Sequence, residues 1–216
     1  MKKTNNLIAI LSCFLFLQSV ETNAQKVTVE DVVYKLEKND SSYNVFVYSL
    51  PKKVKEVKIV GMIEYNGKKY PVRGSYNGWS GNILNDKYIV NAFRPDNAPM
   101  LETVSMDEQF TEVPRNMFSQ ATQIKRINLP STIVTIKENA FEGCTSLESI
   151  VIPKSVKSIE RFAFYNCKSL SSVSGIRPDI SYGSDAFGRT AYKFTKYTSS
   201  FSYFSYNYIY ENTSVH

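Results

Sequence analysis

The stretch from Ile127 to Ser149, INLPSTIVTIKENAFEGCTSLES, is followed without a gap by Ile150 to Ser172, IVIPKSVKSIERFAFYNCKSLSS. Nine of the 23 positions are identical, where unrelated segments would share about one or two, so the chain repeats itself with a period of 23. One period earlier, Val104 to Arg126 keeps the apolar slots without the proline or the cysteine. A weaker fourth copy starts at Val173.

Aligned copies turn into columns. Val104, Ile127, Ile150 and Val173 share one slot, and Met106, Leu129, Ile152 and Gly175 the slot two residues on. Phe110, Ile133 and Val156 form a third column, and Val113, Ile136, Ile159 and Tyr182 a fourth. The pairs Met117-Phe118, Ala140-Phe141, Ala163-Phe164 and Ala186-Phe187 recur at constant phase. One ring per repeat at a fixed phase predicts coils stacked around a continuous interior, because a single coil cannot bury its own apolar face. Leu101, Ile124, Leu147 and Leu170 carry the phase backward and predict a degenerate coil ahead of Val104.

Within a coil, Ile150 and Ile152 alternate with Ser149 and Val151, the pattern of a short half-buried strand. Pro130 and Pro153 end such strands, because proline supplies no ladder donor. One strand per coil gives a parallel sheet. The stretches 138–141 and 161–164 are too short for an ordinary helix and predict a single helical or 3₁₀ turn on the return path.

The pattern Leu-x-x-Ile-x-Ile-Pro-x-x-Val-x-x-Ile-x-x-x-Ala-Phe-x-x-Cys at 147–167 resembles the leucine-rich repeat of the BspA-type surface proteins. The match is closest over 127–170 and weaker from 101 to 187. It departs from better-known leucine-rich repeats in lacking their Asn ladder; Cys and Ala-Phe stand in those places. The resemblance implies an α/β-type repeat solenoid, mostly β, in an exported or surface-attached binding protein, with members associated with adhesion to host extracellular proteins and to other cells.

The flanks read differently. Val32 to Leu36 and Tyr43 to Tyr48 predict two strands joined by the polar turn 37–42. Asn66-Gly67 between Ile63-Glu64-Tyr65 and Lys68-Lys69-Tyr70 is a strong hairpin signal, because both turn positions tolerate positive φ. The expected organisation is therefore a signal peptide at 1–24, a β-rich N-terminal cap with a hairpin at 25–75, a connection and degenerate first coil at 76–100, repeats at 101–191, and an aromatic strand at 192–216. In that last segment nine of the 19 residues from Tyr192 to Tyr210 are aromatic, and Phe204, Tyr206, Tyr208 and Tyr210 alternate with other residues. Such a strand either caps the last coil or pairs with another chain, which gives a route to self-association through 192–216 and an alternative reading as a structural surface protein.

Export is read from Lys2-Lys3, the apolar run Leu7 to Val20 and the small residue Ala24 before Gln25. The run is shorter than the ~20 apolar residues of a membrane span, so the mature chain is expected to carry no transmembrane segment. Cell surface, periplasm and medium are all open. Lipid attachment at Cys13 fits less well, because it would leave Phe14 to Leu17 at the new N-terminus. The whole chain carries a net charge of +6, and loss of Lys2, Lys3 and Glu21 with the signal leaves +5, a mild excess on paired surface lysines. Nucleic acid is not an expected partner.

Chemistry finds few candidates among these residues. The single His is His216, so no imidazole stands inside the fold as a base. No nucleophile motif, glycine-rich phosphate loop or marked carboxylate pair is present. The expectation is a non-enzyme without catalytic, cofactor or metal residues. Cys144 and Cys167 occupy equivalent slots on adjacent coils and read as small buried groups, with a disulfide the alternative that export would permit. What remains is the outward side of the parallel sheet, where Thr103, Ser105, Arg126, Asn128, Ser149, Val151, Ser172 and Ser174 should face solvent in two columns. They are the candidate partner-binding residues, with Arg126 the anchor by residue type. The expected partner is a protein or glycan, including host extracellular matrix.

Overall fold

The computed structural model describes residues 24–39, 42–75 and 91–193. The apolar N-terminal run read as an export signal, most of the connection and the aromatic stretch after Lys193 lie outside them. Six strands form before the repeats: β1 (Ala24–Val29), β2 (Val32–Lys38), β3 (Tyr43–Ser49), β4 (Glu56–Ile59), β5 (Met62–Tyr65) and β6 (Lys68–Ser75). The two strands read from alternation are β2 and β3, paired antiparallel as expected. The hairpin at Asn66-Gly67 joins β5 to β6, with φ of 50 and 70 at its two turn residues. Strand β1 was not foreseen. It pairs with β2 through a two-residue turn in which Glu30 and Asp31 both take positive φ, a conformation their sequence does not advertise.

The repeats follow with the predicted register. Strands β7 (Thr103–Met106), β9 (Arg126–Asn128), β11 (Ser149–Val151) and β13 (Ser172–Ser174) form one side of the coils, paired in parallel as β7 with β9 and β11 with β13. The N–H of Glu148 bonds the carbonyl of Lys125 at 3.3 Å and links β9 to β11. Strands β8 (Glu112–Val113), β10 (Thr135–Ile136), β12 (Ser158–Ile159) and β14 (Ser181–Tyr182) form a second parallel ladder. Residues 23 apart sit opposite one another in both ladders, such as Val104 with Ile127 and Ile136 with Ile159.

The third side corrects the expected helical or 3₁₀ turn: among the described residues there is no helix. Left-handed residues punctuate the return path at two slots per coil, Asn116, Asn139, Phe162 and Asp185 at the first and Gln120, Gly143, Asn166 and Arg189 at the second. This alternation turns every second N–H out of the coil and toward the next one. Phe118 N donates to Ala140 O at 2.8 Å, Phe141 N to Ala163 O at 2.8 Å and Phe164 N to Ala186 O at 2.7 Å. The N–H groups in between close turns within the coil, as Ala140 N does on Lys137 O. A helical turn would spend all its donors along its own axis and leave the carbonyls of the neighbouring coil unpaired.

The columns meet inside. Phe118, Phe141, Phe164 and Phe187 stack nearly parallel with centroids 5.3, 4.8 and 5.0 Å apart, and Phe93 meets Phe118 edge-on at 4.7 Å. Beside the rings Cys144 and Cys167 are buried free thiols, each donating to a carbonyl of the preceding coil, Phe118 O and Phe141 O. Burial, with the neighbouring Cys167 thiol adding to it, pushes the Cys144 thiol well above its ordinary pKa and keeps it protonated.

Strand β4 lies against β7 in parallel, Val57 beside Val104 and Ile59 beside Met106, so the sheet of the coils continues into residues 56–59. The same join is pinned by Gly61 N bonding Asp107 Oδ1 at 3.0 Å and by Val60 N bonding the hydroxyl of Tyr34 at 3.0 Å. Tyr34 is wholly buried, and burial pushes its phenol up to about 12. One apolar core runs from Val32 in the first sheet to Phe187 in the last coil.

Asn91-Ala92-Phe93 repeats the Asn-Ala-Phe of residues 139–141 and covers the open side of the first full coil. Buried Asn91 directs its amide at the carbonyls of Asn116, Met117 and Ser119 at 3.1 to 3.2 Å and accepts from Phe93 N at 2.9 Å. Asn91→Ala should therefore lower unfolding stability by about 2 kcal/mol, since it strands buried carbonyls. Urea denaturation checks this, and a change within about 0.5 kcal/mol would show that Asn91 is no cap.

Candidate binding face

Each outward residue of the first sheet is placed by strand alternation and by the 23-residue register. Thr103 lies beside Arg126, and Ser149 beside Ser172, in one column; Ser105 lies beside Asn128, and Val151 beside Ser174, in the next. Arg126, Asn128, Ser149, Val151, Ser172 and Ser174 are exposed. Ser105 is half-buried and accepts a hydrogen bond from Asn128 Nδ2 at 2.9 Å. Thr103 departs from the expectation, at 8% exposure. Its register neighbours on the same face are Glu56 and Arg126, whose long side chains flank its short one.

Two residues on this face were missed. Glu56 and Lys58 extend the columns by one strand, opposite Thr103 and Ser105, and both are exposed. The signal was there in Val57-Lys58-Ile59, whose alternation matches the repeat strands but whose distance from them breaks the period.

The electrostatics are mixed. Arg126 has no ion-pair partner among the described residues. Along the adjoining edge Glu102 bridges Lys55 and Lys125, and hydrogen bonding to Lys125 holds its carboxyl below the usual range. On the return path Glu138 sits between Arg161 and Arg115, and the hydrogen bond from Arg161 does the same for it. These pairs join successive coils.

Next to the columns a shallow groove of about 420 Å³ opens between two coils, with Ile127, Leu129, Val151 and Pro153 as its apolar walls and Ser131 and Lys154 at the rim. Val151 stands 69% exposed at its edge. Such a surface can seat an apolar side chain and pair polar groups around it. Among the described residues no cluster of three or more His, Cys, Asp or Glu is placed to hold a metal ion, and no helix is long and apolar enough to cross a membrane. The candidate pairing strand beyond Lys193 lies outside the described residues.

Parallel strands at a 23-residue period around a stacked apolar interior define a leucine-rich-repeat solenoid. The chain belongs to the BspA type leucine rich repeat region family, whose model matches residues 90–216 in 6 copies. Among solved structures it is similar to a leucine rich cell surface protein from Faecalibacterium prausnitzii, at 20% identity over 78% of this chain and 47% of that one, with a TM-score of 0.45. A leucine-rich repeat protein from Bacteroides capillosus shares 21% identity over 69% of this chain and 96% of its own, with a TM-score of 0.47. The pneumococcal vaccine antigen PcpA shares 13% identity over 77% of this chain and 48% of its own, with a TM-score of 0.46. The chain thus spans about half the length of the Faecalibacterium protein and of PcpA. No curated protein matches the sequence.

Proposed function

We propose that the protein is an exported, cell-surface binding module that uses the outward sheet face to hold a protein or glycan partner on a host surface or a neighbouring cell, without chemistry of its own. The observation that carries this reading is the exposed Val151 at the mouth of the groove, with the exposed guanidinium of Arg126 in the neighbouring column. An apolar contact beside an arginine, with small polar groups around both, is the composition of a recognition patch rather than of a merely solvated sheet. Membership of the repeat family and the lysine-led apolar segment at the N-terminus support export. The face spans few coils, so single contacts are modest in area and attachment gains from several copies acting together.

The test is binding of the purified protein to host matrix proteins, mucins and glycans at low and physiological salt, with its oligomeric state recorded. Saturable binding that survives physiological salt is expected; binding that disappears with salt would reduce the interaction to the excess positive charge. In that assay Arg126→Ala should cost about 1 to 2 kcal/mol of affinity while the melting temperature stays nearly unchanged. Equal binding by the variant and the parent would remove this face as the site.

A further inference from the structure

The two ladders of the solenoid differ at one junction. The second runs unbroken through β8, β10, β12 and β14, whereas the first divides into β4-β7-β9 and β11-β13. Strands β9 and β11 are joined where they start, by the bond from Glu148 N to Lys125 O, and part where they end. One coil later Ile152 N donates to Ser174 O at 2.9 Å. The equivalent rung, from Leu129 N to Val151 O, is missing, and Leu129 N has no hydrogen bond among the described residues. A parallel ladder that opens at one rung leaves a backbone donor and a backbone acceptor side by side without their usual partners.

The opening coincides with the groove. Leu129 and Val151 stand in its walls, and its volume of about 420 Å³ has room for a large apolar side chain and the peptide unit that carries it. The polar side chains around it already donate elsewhere: Asn128 to Ser105 Oγ at 2.9 Å, Ser131 to Glu108 Oε2 at 3.0 Å and Ser155 to Ile133 O at 2.6 Å. Lys154, also in the lining, is exposed and ion-paired to none of the described carboxylates. Glu108, the carboxylate of its own column, lies two coils back at Ser131; on the other side Asp179 is held by Lys157 and Arg177, and Glu148 precedes β11 at the end away from Lys154. The unmatched groups at the groove are thus one backbone N–H, one backbone C=O and one cation, beside an aliphatic wall.

Resting on the reading of this face as the binding site, we propose that the groove takes an extended peptide whose apolar side chain fills it and which carries Asp or Glu two residues away. The peptide supplies a C=O to Leu129 N–H and an N–H to Val151 C=O, and its carboxylate meets Lys154. An extended chain brings this set together, because the N–H and C=O of one residue point the same way and side chains two residues apart share a face. The partner is thereby narrowed from protein or glycan to an acidic protein segment. A pyranose stacks its C–H face on an aromatic ring, and no residue lining the groove has one.

The experiment titrates the full chain with labelled, amidated heptapeptides built on threonine, read by fluorescence anisotropy. The central residue is Ala, Leu, Phe or Trp, and the residues two positions to either side are Asp, Asn or Lys. Saturable binding is expected for at least one Asp peptide with a large central side chain, about fivefold or more tighter than its Ala and its Lys counterparts. Methylating the central N–H should weaken it about fivefold as well, since Val151 C=O then loses its donor. Lys154→Glu should reverse the order in favour of the Lys peptide, an effect that a packing role for Lys154 would not produce. Val151→Lys should abolish binding at an unchanged melting temperature, and the reversal by Lys154→Glu decides the matter if that variant fails to fold. No binding by any peptide, equal affinity for Asp and Lys peptides, or indifference to N-methylation overturns the proposal. If the peptides fail while matrix proteins or glycans bind and Arg126→Ala weakens them, the sheet-face reading stands without this inference; if neither kind of ligand binds, both fall.

Discussion

Phe141→Ala is expected to lower the unfolding free energy by about 4 kcal/mol, among the largest losses a single substitution can cause here. The ring is fully buried between Phe118 at 5.3 Å and Phe164 at 4.8 Å, and both neighbours lose a stacking face when it goes. Coils above and below are held apart by backbone hydrogen bonds, such as Phe118 N to Ala140 O, so they cannot close over the cavity. Urea denaturation of parent and variant measures it. In a stack with mainly nearest-neighbour coupling the loss should also broaden the transition, because the coils on either side of the gap are coupled less strongly. A loss below about 1 kcal/mol, the range of a surface change, would mean that the rings do not carry the stack.

The second large effect is at the join. Gly61→Ala should cost about 3 kcal/mol, because the added Cβ would lie 2.7 Å from both Gln109 C and Phe110 N, which are backbone atoms of the first coil and cannot rotate away. Relief requires β4 to move off β7, which would take with it the bond from Gly61 N to Asp107 Oδ1. Hydrogen exchange should then show faster exchange across the β4–β7 pairing while the coils from Ile127 onward keep their protection. Unchanged stability would show that the first sheet rests on the solenoid without being fixed to it. Uniformly faster exchange over the whole chain would show instead that the two parts open as one unit.

The sequence carried the coils in legible form because their physics repeats. Ala140-Phe141 and Ala163-Phe164 are spaced at the period, and the stack they predict is present. Phe93 was not read as part of it because it precedes Phe118 by 25 residues, so the shared Asn-Ala-Phe was the only clue and periodicity missed it. The return path was misread as helical for a different reason. A helical turn and a chain of left-handed corners both place small and apolar residues at close spacing, and only Asn116, Asn139 and Asp185 hint at the corners. On the outward sheet face, alternation found the exposed columns; the burial of Thr103 was missed because its register neighbour Glu56 is far away in sequence and pairing alone brings it alongside.

The ladder on the return path has a direction. From Phe118 through Phe164, the outward-turned N–H groups all point toward the later coil and the carbonyls that receive them point back. This ladder therefore has a donor end and an acceptor end, like a one-way connector. Two copies joined along this ladder fit only head to tail, since end-to-same-end contact would set donor against donor. Head-to-tail contact repeats without closing unless the rotation happens to complete a ring; in this chain the Asn91 amide already occupies the acceptor end, on the carbonyls of Met117 and Ser119, and so stops the ladder there.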